Sequence, residues 1–211
     1  MAHAVEVERR GPPTADAALV VVALHGRNQS PGYMVENLVD PLAADYGRDD
    51  IGWLLPAATG GTWYPNGFLS PLADNQPALD DALAALTGIE AEIAGRDPGS
   101  VVWCGFSQGA CLVSEHLARR PRRWGGLLAL TGGMIGPPGT ELTVAGSFAG
   151  MPAYFGVGDS DDWVPVWRVE ETAHAYRRAD AVVELDVFAG RPHEISRTEL
   201  ARAARLLAGA A

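Results

Sequence analysis

The sequence predicts an α/β chain built on one doubly wound, mostly parallel sheet. Three observations carry this. Short apolar runs recur along the chain and suit strands buried on both faces. Stretches with apolar residues at helical spacing stand between them. Gly-, Pro- and Asp-rich segments separate the two kinds of element. The 211 residues fit a single domain, 1–211, with no internal repeat or linker.

Each element has its own reason. Residues 4–9 alternate apolar and polar, as a half-buried N-terminal edge strand does. Gly11-Pro12-Pro13 is a turn, and residues 17–24 form a near-continuous apolar run, hence a central strand. That run ends in the polar loop His25-Gly26-Arg27-Asn28-Gln29. A helix follows to about Tyr46, with Ser30 as cap and Pro31 in its first turn. Residues 51–56 are a second buried strand. A long loop, 57–75, carries Trp63, Tyr64, Phe68 and Leu69; loops of this length in compact domains are usually functional.

A helix is expected from about Gln76 to Ala94, with Leu79, Leu83, Leu86, Ile89 and Ile93 on its core face. Asp97-Pro98-Gly99 turns into a strand at 100–104. A helix over 110–120 is closed by Pro121. Strands follow at 125–131, 152–157 and 182–188, with helices after the last two, to about Arg178 and over 195–208. Residues 136–150, rich in Gly, Pro and Thr, read as a surface excursion.

Composition excludes several functions. A formal net charge of −10 argues against a nucleic-acid or anionic-membrane binder and against anionic substrates, although Arg27 and Arg191 flank the expected site. All sixteen cationic residues are arginine, so Schiff-base and Walker-type lysine chemistry is absent. Cys104 and Cys111 straddle a tight turn, which suits two core thiols better than a disulfide. No charged-then-apolar leader opens the chain and no apolar run spans a membrane, so a cytoplasmic protein is expected.

The chemistry centres on Gly105-Phe106-Ser107-Gln108-Gly109, a G-x-S-x-G pentapeptide between an apolar strand and a helix. That is the setting of a nucleophile elbow, with serine at the apex of a strained turn. A serine hydroxyl needs an imidazole to take its proton, and the imidazole needs a carboxylate to orient it. His193, at the end of the last strand, is the candidate base. His116 and His174 lie within helices and His3 in the N-terminal tail, where none can easily present a base. His25, at a strand end before Gly26, suits a loop-orienting role. The acid comes from Asp159, Asp161 and Asp162, which cannot all be buried and charged; the spares bond backbone N–H groups or face water. The backbone N–H groups of Gln108 and Arg27 are the expected oxyanion donors. No metal or cofactor is called for. A non-catalytic binding protein on the same fold is the reading from another class.

Taken together, Leu24-His25-Gly26-Arg27, Gly105-Phe106-Ser107-Gln108-Gly109-Ala110, Leu130-Thr131-Gly132-Gly133, Gly158-Asp159-Ser160-Asp161 with Val164-Pro165, and Pro192-His193 resemble the phospholipase/carboxylesterase branch of the α/β-hydrolases. The resemblance covers about Leu19 to His193. It implies an α/β-hydrolase fold without a large cap domain, a carboxylesterase with a Ser107–Asp161–His193 triad, and Arg27 and Gln108 as oxyanion donors. Asp161 is singled out by standing three positions before Val164. The same branch includes acyl-protein thioesterases and lysophospholipase-type hydrolases. Thr62-Trp63-Tyr64-Pro65 and Phe68-Leu69-Ser70-Pro71 look more like its bacterial small-molecule esterases. The expected substrate is therefore a small apolar or aromatic ester, walled by Trp63, Tyr64, Phe68, Leu69, Met134 and Trp163. Neither nucleic acid nor membrane is an expected partner, and a homodimer stays open.

Overall fold

The computed structural model describes residues 5–210. Its elements run β1 (Glu6–Arg10), β2 (Leu19–Leu24), α1 (Pro31–Met34), a π-helical turn (Val35–Val39), α2 (Asp40–Tyr46), β3 (Ile51–Ala57), α3 (Ala78–Glu92), β4 (Val101–Phe106), α4 (Gln108–Arg119), β5 (Gly126–Leu130), β6 (Pro152–Gly158), α5 (Val166–Arg178), β7 (Val182–Phe188) and α6 (Arg197–Gly209). One seven-stranded sheet has the order β1-β3-β2-β4-β5-β6-β7. Only β1 is antiparallel, paired with β3 at the edge; the other pairings are parallel. The sheet is doubly wound and mostly parallel, without a large cap domain.

The side-chain alternation of the strands divides the core. Val20, Val22, Leu24 and Trp103 pack with α3, α4 and α5. Val21, Ala23, Val102, Cys104 and Phe106 face the other way, onto α1, α2 and α6. All of β2 and β4 is buried, as central strands covered on both faces must be. The helical stretch after Ser30 is continuous but carries the π-turn at Val35–Val39. Ser30 occupies the cap position with extended backbone, yet its side chain makes no capping bond. A true capping box appears instead at α6, where Ser196 and Glu199 bond each other's backbone. Among the described residues no helix is long and apolar enough to cross a membrane. The expectations for His3 and Ala4 lie outside the described residues.

The segment 136–150 corrects the sequence reading. It is not simply a surface excursion: Leu142 and Phe148 are buried in the core shared with α5. Phe148 stacks on Tyr176 with ring centroids 4.4 Å apart, and its N–H bonds the carbonyl of Ala179. Two isolated apolar residues in a Gly-rich run carry no periodicity, so local pattern does not reveal that they are anchors. Phe148→Ala should destabilise the protein by about 3–5 kcal/mol, the usual loss for a buried phenylalanine. Urea unfolding of the two proteins measures the difference.

Candidate active site

The site lies at the C-terminal ends of β2, β4, β6 and β7, where open α/β sheets place their ligands. Ser107 sits between β4 and α4 with φ 54° and ψ −120°, a conformation L-residues rarely adopt. The turn is possible because of its glycines. A Cβ on Gly105 would collide with the backbone of Gly109, and one on Gly109 would collide with the carbonyls of Leu24 and His25. The close approach presses the start of α4 against the end of β2. Ser107 occupies the cap position of α4 without capping it. Its Oγ instead lies 2.8 Å from His193 Nε2.

The other ring nitrogen, His193 Nδ1, is 2.7 Å from Asp161 Oδ2. The carboxylate accepts from Nδ1–H, which leaves Nε2 to accept the serine proton. Asp161 Oδ1 accepts from the backbone N–H of Trp163 at 2.8 Å and of Val164 at 2.9 Å. Burial alone would raise the Asp161 pKa. The bonds from His193, Val164 and Trp163 outweigh it and hold the carboxyl below the ordinary aspartate range. The neighbouring acids act differently. Asp159 accepts from the N–H of Gly190 at 2.6 Å, which ties the end of β6 to the histidine loop, and Asp162 is exposed.

The histidine loop is held from below. Arg191, two residues before His193, is buried and ion-paired with the fully buried Glu199. It also donates to Thr131 at 3.2 Å and stands 4.4 Å from the Phe188 ring centroid. Phe106 packs on the His193 ring, with centroids 5.0 Å apart, and Tyr33 stacks on Phe106 from behind. Arg191 is thus a structural anchor; the sequence reading that it flanks the open site is corrected.

His25 is buried, and burial lowers its pKa. Its Nε2 accepts from Ala58 N–H at 3.1 Å, so Nδ1 carries the proton and donates to the Gly26 carbonyl at 2.7 Å. The N–H of Gly26 is taken by Gln29 Oε1. Neither the Arg27 nor the Gln108 backbone N–H meets an acceptor among the described residues, and Gln108 opens α4, where the helix dipole is positive.

Residues 57–75 form a built wall. Gln108 Oε1 accepts from Trp63 N–H at 3.0 Å, and its Nε2 donates to the Tyr64 carbonyl at 2.8 Å. Arg27 donates to the carbonyls of Pro65, Tyr64 and Asn66. Sequence reasoning assigned both residues backbone roles and missed these side-chain clamps, which depend on contacts more than thirty residues away.

Beside Ser107 opens a cleft of about 530 Å³, lined in part by Tyr64, Phe68, Trp163 and His193. Of the expected wall, Trp63, Leu69 and Met134 are not in the lining. Trp63 is turned inward, with its indole N–H on the His25 carbonyl at 2.9 Å, and Met134 is buried core. Leu69 packs against that core. Cys111, one turn after Ser107, lines the cleft instead. It and Cys104 are free and buried; burial pushes the Cys111 thiol up to about 12, and Cys104 also upward. His116 pairs with Glu90 at 2.8 Å inside the core.

Strained serine turn, imidazole and carboxylate on three strand-end loops are the layout of an α/β-hydrolase. Residues 56–209 match the phospholipase/carboxylesterase family, and the chain belongs to it. It is therefore an ester hydrolase by family. It is similar to the phospholipase/carboxylesterase from Dyadobacter fermentans, with 35% identity and a TM-score of 0.89 over 99% of this chain and 98% of that one. Esterase PE8 is 23% identical, with a TM-score of 0.80 over 99% and 100% of the two chains. SOBER1 of Arabidopsis thaliana, at 20% identity and a TM-score of 0.71, covers 91% of this chain and 98% of its own, a likeness of fold. No curated protein matches the sequence.

The lowered Asp161 pKa gives a pH signature. A carboxylate depressed in the folded state contributes stability above its unfolded value, 3.8, and loses it as pH falls through the lower folded value. The stability that wild type holds over Asp161→Asn should shrink as pH falls through the window below 3.8. Denaturant titrations through that window report it; a difference that grows as pH falls below 3.8 would contradict the assignment.

Proposed function

We propose that the chain is a single-domain serine esterase that cleaves carboxylic esters of small apolar or aromatic substrates through an acyl-enzyme on Ser107. The observation that carries this is the pair of bonds through the two nitrogens of one imidazole, 2.8 Å to Ser107 Oγ and 2.7 Å to Asp161. His193 takes the hydroxyl proton as Oγ adds to the ester carbonyl. Asp161 fixes the tautomer and stabilises the imidazolium. The oxyanion is received by the N–H groups of Gln108 and Arg27, both without another acceptor among the described residues. His193 then protonates the leaving alkoxide. Water, deprotonated by the same imidazole, attacks the acyl ester, releases the acid and restores Ser107.

Ser107→Ala should abolish ester turnover and fluorophosphonate labelling with an unchanged melting profile, since Ser107 Oγ is the hydroxyl on the His193 imidazole and burial keeps the Cys111 thiol of the cleft protonated. Asp161→Asn should lower turnover by on the order of 10⁴-fold, as for other triad carboxylates, and Asp162→Asn far less. Substantial turnover by folded Ser107→Ala would end the serine mechanism.

The cleft is of ordinary size for a small ligand, which favours short acyl chains. With p-nitrophenyl esters of rising length, kcat/KM should peak at short to medium chains and fall beyond roughly eight carbons, once the chain outgrows the pocket. A maximum at palmitoyl esters would favour the lipid-thioesterase or lysophospholipase alternative.

A further inference from the structure

We propose that the cleft takes esters that carry a carboxylate or similar small anionic group, seated against the Arg27 guanidinium. The inference rests on the ester-hydrolase reading of the cleft and narrows its substrate class, adding an anionic group to the small apolar or aromatic ester proposed above. It reverses what the net charge suggests. The chain has 26 acidic and 16 basic residues, yet no Asp or Glu lines the cleft. The acid closest in function, Asp161, has a fully buried side chain engaged by His193, Trp163 and Val164. Asp162 and Glu194, next in chain to the lining residues Trp163 and His193, are exposed and act through water, and carboxylates farther away are screened beyond about 8 Å.

Arg27 is the one arginine in the cleft wall. Its guanidinium makes three bonds, to the carbonyls of Pro65 at 2.7 Å, Tyr64 at 3.0 Å and Asn66, and pairs with no carboxylate among the described residues. A guanidinium has five N–H donors, so two, on Nε and Nη1, are left without an acceptor among the described residues. Carbonyl dipoles hold the group but leave its positive charge uncancelled. Arg191 and Arg202 differ: each is paired, with Glu199 and with Asp186 and Glu184. The three carbonyl bonds, with the Tyr64 ring centroid 5.9 Å from Arg27 Cζ, also fix the side chain in place. An arginine already immobilised loses little further freedom when it binds an anion. A charge-assisted bond there favours a carboxylate over a neutral isostere.

The acidic group can sit on either side of the ester, and two substrate pairs separate these cases. One pair, phenyl hydrogen adipate and phenyl adipamate, differs in charge on the acyl side. The other, 4-butyryloxyphenylacetate and 4-butyryloxyphenylacetamide, differs in charge on the alcohol side. Each is measured for equilibrium binding to Ser107→Ala protein by calorimetry, which requires no turnover. In one pair the carboxylate should bind on the order of tenfold tighter than the amide at low salt. The preference should shrink as ionic strength rises, survive in Ser107→Ala/Arg27→Lys, and fall to about one in Ser107→Ala/Arg27→Gln. The ratio within each protein removes any general weakening caused by loss of the loop clamp. If the double variant fails to fold, the ratio in Ser107→Ala and its salt dependence decide. Equal or weaker binding of both carboxylates overturns the inference, as does a preference that the Gln variant keeps. Turnover of the same esters by the native enzyme is the separate check on the ester-hydrolase reading: neutral esters cleaved without a carboxylate preference would leave that reading intact and remove this one.

Discussion

The site depends on one close approach of backbone. β4 must turn into α4 so tightly that Gly105 meets Gly109, and Gly109 in turn meets the carbonyls at the end of β2. Any side chain at either position would force the helix away from the sheet. Because none is there, α4 begins against the sheet and Ser107 is held at positive φ above it. Such strain is sustained only where the surroundings over-determine it. Here they do: β2, β4 and β5 are buried on both faces, and Ser107 N–H is fixed to the Leu130 carbonyl at 3.0 Å.

The rest of the site is assembled by buried polar groups reaching across the strand ends. Gln108, from the elbow, and Arg27, from the β2 loop, both hold the backbone of Trp63 to Asn66. His25 ties the same β2 loop to Ala58. The wall of the cleft is therefore part of the same rigid unit as the serine. The carbonyls of Tyr64, Pro65 and Asn66 are satisfied by the Arg27 and Gln108 side chains rather than by regular structure. On the opposite side the Arg191–Glu199 pair anchors the loop that carries His193. Removing either partner would leave a buried charge without compensation, so the pair fixes the loop whatever its net contribution to stability.

These clamps make the local field of the cleft different from that of the molecule. Net charge is a sum over the surface, whereas a ligand in a cleft senses the few groups within a Debye length. Three of the acids near the site are turned to structural tasks, while Asp162 and Glu194, next in chain to the lining residues Trp163 and His193, are exposed. Asp159 accepts from Gly190, Asp161 from His193 and two backbone N–H groups, and Glu199 pairs with Arg191. Arg27, the arginine of the cleft lining, pairs with no carboxylate among the described residues.

The sequence by itself determined the alternation of strands and helices, the edge position of β1, and the strand–turn–helix around Ser107. Each is written in local period or in residues confined to a few positions: buried parallel strands are apolar throughout, helices repeat at 3.6, and an elbow needs glycines flanking its serine. It also brought the acid down to three neighbours and offered His193 as their partner. Tertiary structure decided what depends on distant contacts. It turned Trp63 inward and left Tyr64 in the wall, although the two are adjacent in a loop without periodicity. It buried Phe148 within a Gly-rich segment, set Cys111 in the cleft, and joined Arg191 to Glu199 rather than to the opening. In each case a side chain's task is set by which unsatisfied backbone group, charge or cavity the folded chain brings beside it, and no local pattern encodes that.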